Sequence, residues 1–487
     1  MRRIINILAN NWLLIIILLV GVFLRFYRLN DFAMFLSDQG RDAIIIKRIL
    51  TGEHFPAIGA PTSVGQVYLG PFYYYFIAPW LFFFNFQPVG LAYGVAFFSS
   101  LFLLINFIVV KKIINEKTAY LSTFFLTLSS TLVDFSRFSW NPNLLPLFSF
   151  LTAYFTIESF RTKKWYFFAL TGAFLSFSIQ LHYLALILCL PIALIYLFDF
   201  IKEIKKHNNE IVKQFVNYLL TFFSFVFFTF PLIIYDLRHN FLNSKNFIKL
   251  FESSKSFTTS KLDNLLNTFI SLNKFSLNIS LNFWQAILLL IIIVLSGLII
   301  LSRSKSQIKI FVIFFFTSFL GISLYSGPKF AHYLGFIYPF YYLLIGYFLS
   351  EISNDSLGKT IIVVFIIMFA LLNFQKFSFI NSVAANQIGH TEIVSNFLAE
   401  KINHQPFNIA TWPVEFSEDS YLYFLELKGL RPADRQKIEI TNQMFVLCNK
   451  DPCQIINSPS WNISMFGKAK ITNQWKVEDV KIYKLVR

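Results

Sequence analysis

About eleven stretches of this chain are apolar over a length that crosses a lipid bilayer, and no other feature constrains its fold so strongly. A spanning helix needs roughly 17–25 mostly apolar residues. Inside lipid every backbone N–H and C=O must be satisfied within the segment, which leaves the helix as the solution for isolated runs. Such helices are expected at 11–28, 88–110, 118–133, 143–160, 165–182, 183–201, 215–235, 283–301, 309–326, 333–350 and 360–375. The joints are polar and mostly basic, running Lys111 to Lys117, Arg161 to Lys164, Lys202 to Lys213, Arg303 to Lys309 and Glu351 to Lys359. The chain is 56% hydrophobic and only 14% charged, against roughly 25% charged in soluble domains. So few charges cannot coat a soluble protein of 487 residues. Lipid must cover much of it. The net charge of +16 sits mainly in short loops, as positive-inside topology requires. It favours anionic head groups rather than nucleic acid.

Residues 1–29 carry Arg2 and Arg3 before an apolar run that ends near Phe26, with no small-residue cleavage site after it. This reads as an uncleaved first helix. Residues 68–86, YLGPFYYYFIAPWLFFFNF, are long enough to span. If they do not cross, Arg2/Arg3, Lys111/Lys112, Arg161/Lys163/Lys164, Lys202/Lys205/Lys206 and Arg303/Lys305 all share one side. The positive-inside rule prefers that arrangement, and Pro71, Pro79 and Trp80 suit an interfacial or re-entrant helix. The expected location is the plasma membrane, with the N-terminus cytoplasmic and the C-terminus outside.

This gives two domains: a transmembrane domain, 1–375, with outer loops at about 29–87 and 236–282, and a soluble outer domain, 376–487. The first loop should hold a short amphipathic helix at 39–51. The tail reads as α/β, with helices near 390–403 and 418–428 and strands near 407–412, 443–448 and 475–486. Cys448 and Cys453 fall in that outer domain, where oxidation is permitted, and Pro452 helps turn the short loop between them. A disulfide is expected, with two buried free thiols as the alternative.

The spanning segments contain almost no ionisable residues at mid-depth, which lowers the case for an ion-coupled transporter. Polar residues gather instead at outer helix ends. They are Asp38, Gln39, Arg41 and Asp42 in FLSDQGRDA; Asp134 and Arg137 in DFSRFSWNPN; Gln180, His182 and Tyr183 in QLHY; Asp236, Arg238 and His239 in YDLRHNF; and Lys329, His332 and Tyr333 in SGPKFAHYLGFIYP. Arg and Lys suit a phosphate, and a carboxylate can act as general base. Each piece also has a structural reading. Arg41, Lys47 and Arg48 could be interfacial anchors; His182 could close a helix end; Asp134 and Arg137 could form a local ion pair; Arg238 and His239 could hold head groups; Asp38 could cap its helix.

In these residues the chain resembles the polyprenyl-phosphate-sugar-dependent glycosyltransferases of the GT-C fold, in the branch of protein O-mannosyltransferases and aminoarabinose transferases. The shared pattern is an N-in first helix, a long outer loop opening with an acidic motif, a Pro- and Tyr-rich segment (LGPFYYYFIAP), an outer Ser-Arg after the third helix and a C-terminal outer domain. It covers roughly residues 1–350. The resemblance implies an all-α polytopic GT-C-like fold with an α/β outer domain. It implies Asp38 as the catalytic aspartate. The Asp-Glu pair common in the family is Asp38-Gln39 here, so Asp42, one turn on, is the second candidate. Where relatives often have further Arg and Asp after Ser-Arg, this chain has Trp140 and Pro142. Some relatives bind a divalent metal; no ligand set stands out here, and the cofactor is left open.

The implied reaction moves a sugar from a polyprenyl-phosphate donor to a hydroxyl of a lipid, glycan or protein acceptor. Asp38 would take the hydroxyl proton, and Arg41, Arg238, His239, Lys329 and His332 are candidates to hold the donor phosphate. Arg137, His182, Tyr183, Asp236 and Tyr333 complete the candidate substrate contacts. Two other classes stay open: a flippase for lipid-linked sugars, and a non-catalytic assembly or receptor protein.

Overall fold

The computed structural model describes residues 11–487 except 63–65, 206–210, 254–259, 305–306 and 414. Arg2, Arg3, Lys206 and Lys305, counted above in the basic clusters, lie outside the described residues. Each expected apolar segment is helical, with ends displaced by a few residues. Among the described residues Val89–Ile113, Tyr183–Lys205, Ile211–Arg238, Phe283–Arg303 and Ser356–Phe374 are long and apolar enough to cross a membrane, and Trp12–Phe26, Phe72–Phe83, Trp165–Leu181 and Ile308–Ser323 are shorter apolar helices. Their outward faces are bare hydrocarbon: Phe222, Phe223 and Phe227, like Trp284, Leu288 and Leu298, are exposed. Lipid accepts such a surface where water does not. The chain is a multi-pass membrane protein.

Between helices the contacts are polar as well as apolar, because in lipid polar groups must find partners within the bundle. Asn106 Nδ2 donates to Ser122 Oγ and Thr123 Oγ1, each at 3.0 Å. The Tyr342 hydroxyl donates to Ser129 Oγ at 2.7 Å. A Cβ on Gly172 would lie 2.1 Å from the Thr221 carbonyl oxygen, so only glycine lets Trp165–Leu181 meet Ile211–Arg238 this closely.

The basic turns collect at one end of the bundle. There Lys112 and Arg161 bind the buried Glu158 (3.0 and 2.6 Å), Lys163 pairs with Asp199, and Lys117 reaches Ser353 Oγ at 2.8 Å. Two segments depart from expectation. The third apolar segment is not one helix but two, Glu116–Leu128 and Ser130–Phe135. The freed Ser130 N–H donates to Asn373 Oδ1 at 2.8 Å, so a tertiary partner makes the break affordable. The Asn-, Ser- and Lys-rich stretch 236–282 is mostly helical, as Leu242–Ser253 and Lys261–Leu277. In the latter Phe269, Leu272 and Leu277 are buried in the main core, and Ser260 Oγ caps it by accepting from Asp263 N.

The C-terminal part is a four-stranded mixed sheet, order β1-β2-β4-β3, from β1 (Asn408–Trp412), β2 (Gln443–Cys448), β3 (Lys470–Val477) and β4 (Val480–Val486). β1 and β2 are parallel, joined through the Asp419–Leu427 helix. Gln387–Ile402 and Asp419–Leu427 cover one face, burying Leu398, Leu425, Phe445 and Ile482; Ile455, Ile463 and Phe466 cover the other. The single strand expected at 475–486 belongs to a hairpin that turns at Glu478 and Asp479. Glu478 takes φ +53° there, a conformation that glycine or asparagine usually signals.

The closest of several contacts between this sheet domain and the bundle lies at Gly40. A Cβ on Gly40, in the Ser37–Leu50 helix, would lie 2.3 Å from Ser420 N and 2.5 Å from the Asp419 carbonyl carbon. The two helices touch backbone to backbone. Around them Glu426 accepts from Arg48 Nε and Nη2 (2.9 and 2.7 Å), and the Tyr423 hydroxyl donates to the Phe86 carbonyl at 2.5 Å.

Candidate active site

The Ser37–Leu50 helix carries the acidic motif. Its N-cap is Leu36, not Ser37 or Asp38. Gln39 does the capping, its Oε1 accepting from Leu36 N at 3.0 Å. Asp38 therefore sits in the first helical turn with its side chain 43% exposed, paired with Arg41 Nη1 at 2.8 Å. Arg41 also donates to Asp42 Oδ1 from Nη2 at 2.7 Å and from Nε at 3.0 Å. Asp42 is fully buried; its Oδ1 accepts from the Tyr74 hydroxyl at 3.1 Å, and its Oδ2 has no partner. Burial pushes the Asp42 carboxyl up to about 6 against the pull of Arg41. One guanidinium thus bridges a half-exposed carboxylate and a buried one.

Gln39 carries the connection inward. Its Nε2 donates to the Ser139 carbonyl at 3.2 Å, and the Tyr73 hydroxyl lies 2.6 Å from Ser139 Oγ. Next along the chain, the Trp140 ring stands 4.7 Å from that of His332. His332 neighbours Tyr333 and His182 at 4.6 and 5.7 Å between ring centroids, and His182 lies 5.4 Å from Tyr333. Burial lowers the His332 imidazole to about 4, so it is neutral at physiological pH. The Asp38 helix thus meets Ser139 through Gln39, and His182, His332 and Tyr333 gather beside the next residue, Trp140. Lys329 borders the cluster: its Nζ donates to the carbonyls of Tyr325 and Gly327 and lies 5.3 Å over the Tyr325 ring.

Other expected residues have structural partners. Arg137 is buried, and its guanidinium donates to the carbonyls of Leu24 (2.9 Å), Arg25 (3.3 Å) and Tyr27 (3.0 Å) with Phe379 stacked 3.7 Å below it. It closes the end of the first helix, while Asp134, one turn earlier, acts on it through charge, in the manner of the local ion pair the sequence offered. His182 does close a helix end, Nδ1 accepting from Leu184 N at 3.2 Å. The Tyr183 hydroxyl donates to the Tyr68 carbonyl at 2.5 Å and accepts from Asn243 Nδ2 at 3.1 Å, pinning the first long loop. Asp236 accepts from Asn243 N at 2.8 Å and from Ser244, and so organises the next turn. Arg238 and His239 are exposed, with the His239 ring stacked 4.1 Å from Tyr235. Lys47 and Arg48 are not lipid anchors: Lys47 binds Glu53 at 2.6 Å, and both reach Glu426.

Sequence reading did not anticipate the parts played by Gln39, Gly40, Tyr73, Tyr74, Ser139 and Trp140. The available signals were Gln39 three residues after a helix start, a capping position, and the buried spacing Tyr73, Tyr74, Ile77, Ala78, Leu81 along Phe72–Phe83. No group of three or more His, Cys, Asp or Glu side chains among the described residues is placed to hold a metal ion. Asp38 and Asp42 instead share the cationic Arg41.

Residues 69–235 match the family model described as dolichyl-phosphate-mannose-protein mannosyltransferase. The match includes Tyr73, Tyr74, Ser139, Trp140, His182 and Tyr183 and begins after Asp38, Arg41 and Asp42. No curated protein matches the sequence. Among solved structures, ArnT from Cupriavidus metallidurans bound to undecaprenyl phosphate superposes with TM-score 0.61 at 11% identity, over 98% of both chains. Its apo form gives 0.60 over the same shares at 11% identity. The archaeal oligosaccharyltransferase AglB from Archaeoglobus fulgidus, in complex with an inhibitory peptide and a dolichol-phosphate, gives 0.54 at 12% identity, over 90% of this chain and 70% of that one. At such identities the superpositions speak for the fold. Together with the family match through the helices behind the site, they give the chain a GT-C-like fold.

Proposed function

We propose that the protein transfers a sugar from a polyprenyl-phosphate carrier to an acceptor hydroxyl at the outer face of the membrane, with Asp38 as general base. The observation that carries this reading is the setting of Asp38: half-exposed in the first turn of a helix, held by Arg41, and tied through Gln39 to Ser139 ahead of the Leu145–Thr162 helix, whose other end carries Glu158 and its basic partners. The full-length likeness to a transferase bound to undecaprenyl phosphate supports the donor class.

The chemistry follows from these side chains. Asp38 accepts the hydroxyl proton as the acceptor oxygen forms its bond to the anomeric carbon, and the bond from that carbon to the phosphate oxygen breaks. Polyprenyl phosphate leaves as a stable anion, so no general acid is needed. Arg238 and Lys329 are the candidate cations to receive it; Arg238 is exposed, and the Lys329 ammonium sits at the edge of the His332–Tyr333 cluster. Asp42 and Tyr74 fix Arg41 from behind, and Arg41 in turn orients Asp38. The basic turns then face the cytoplasm and the sheet domain faces outward.

The test is transfer of radiolabelled sugar from a panel of polyprenyl-phosphate sugars to membrane acceptors by the purified protein in proteoliposomes. Label should pass to an acceptor from at least one donor. Movement of an intact donor across the bilayer without transfer would instead establish a flippase.

A further inference from the structure

A second concave site lies where the sheet domain meets the Ser37–Leu50 helix. It is a cleft of about 630 Å³, within the roughly 300–1,000 Å³ of small-ligand pockets. Ile44 and Arg48 form its wall on the bundle side; Asn408, Arg435, Asn462 and Met465 are among the residues opposite.

Its charges balance one for one. Arg48, Arg431 and Arg435 face it, and so do Glu418, Glu426 and Asp434. Each guanidinium is already engaged. Arg48 forks onto Glu426 at 2.9 and 2.7 Å. Arg431 reaches Glu426 at 3.0 Å. Arg435 pairs with Glu418 and donates to the Ile409 carbonyl at 2.9 Å. A phosphate entering here would have to displace a carboxylate from an arginine, so the cleft is a poor anion site. It offers fixed donors and acceptors side by side, interleaved with Leu422, Leu430 and Met444. Sugar hydroxyls both donate and accept, while the ring C–H faces are apolar.

Position along the helix says which sugar. Ile44 and Arg48 follow Asp38 by six and ten residues, about 9 and 15 Å along the axis. That is too far for the sugar being transferred if Asp38 is the base, and a suitable distance for units beyond the acceptor hydroxyl. Resting on the proposed transfer reaction, we infer that this cleft binds the carbohydrate part of an oligosaccharide acceptor. It supplies the remote binding energy that holds the reacting hydroxyl at Asp38.

The test is calorimetric binding by the full-length protein in lipid nanodiscs. The probes are mannotriose, chitotriose and galactotriose, with inorganic phosphate and a Ser/Thr-rich peptide as competitors of other chemistry. Two variants fill the cleft without removing a charge, Ala433→Trp and Asn462→Trp; both residues line it. At least one trisaccharide should bind, and each variant of unchanged thermal stability should weaken that binding tenfold or more. Absence of binding by all three sugars, equal binding by both stable filled variants, or binding of phosphate or peptide in place of sugar overturns the inference. Because binding is read without turnover, an inactive or miscast Asp38 would not be mistaken for failure of the cleft.

Discussion

Gly40→Ala separates two effects of opposite sign. In a helix interior alanine is more favourable than glycine by about 0.8–1 kcal/mol, so an unencumbered Ser37–Leu50 helix would gain stability. The structure predicts a loss. The new methyl would stand 2.3 Å from Ser420 N and 2.5 Å from both the Asp419 carbonyl carbon and Ser420 Cα. All three atoms are backbone, so no side chain can swing away, and the helices must separate by about 1 Å. Overpacking of this kind costs about 1–3 kcal/mol. Less the propensity gain, a net loss of up to about 2 kcal/mol remains. At about 1.4 kcal/mol per factor of ten, amides of the Asp419–Leu427 helix should exchange faster, by up to about 30 times. Hydrogen–deuterium exchange by mass spectrometry on the full-length protein reads this directly. Slower exchange in that helix, or a gain of about 1 kcal/mol, would show that the close approach does not exist and remove the basis for docking the sheet domain on the Asp38 helix.

Three further outcomes are expected. Cys448 and Cys453, bonded with Cα atoms 6.2 Å apart, should make the intact mass of the protein about 2 Da lower before reduction than after, from the two thiol hydrogens lost on oxidation; equal masses would mean free thiols. Burial raises the Asp42 carboxyl to about 6, so the folded state holds its proton more tightly than the unfolded chain does, and the buried charge costs stability above that pH. Stability should therefore rise on the order of 1 kcal/mol from pH 7 to pH 5, a slope that thermal melts of Asp42→Asn should lack. Single cysteines at positions 62 and 88 should both react with an impermeant reagent from outside, since Phe72–Phe83 has only 12 residues and reaches about 18 Å; labelling of 88 from the cytoplasm alone would reverse the sidedness of every later loop.

Much of the helical framework was legible because a run of apolar residues of bilayer length has few alternatives. What escaped depends on partners far along the chain. The break at Ser129 has no proline or glycine to announce it and is held by Asn373 and Tyr342. Lys261–Leu277 hides because its Asn, Ser and Lys content suggests a loop, while its apolar residues recur at helical spacing. The acidic motif was legible as a helix start, but its hydrogen bonding was not. Nothing local says that Gln39 rather than Asp38 makes the cap, or that the carbonyls satisfying Arg137 come from residues 24–27. His182, His332 and Tyr333 could be listed from sequence as helix-end polar residues; that they share one cluster with Trp140 is a product of packing.

The central claim is that the Asp38 carboxylate takes the acceptor proton, and single-turnover sugar transfer by Asp38→Asn tests it most directly. Asparagine keeps the size of the side chain, and the helix cap belongs to Gln39, so folding and donor binding should survive. The account predicts a folded variant with donor affinity near normal and a transfer rate at least about a hundredfold lower, the lower end of what a positioned general base contributes. Transfer at a rate close to that of the unaltered protein would contradict it.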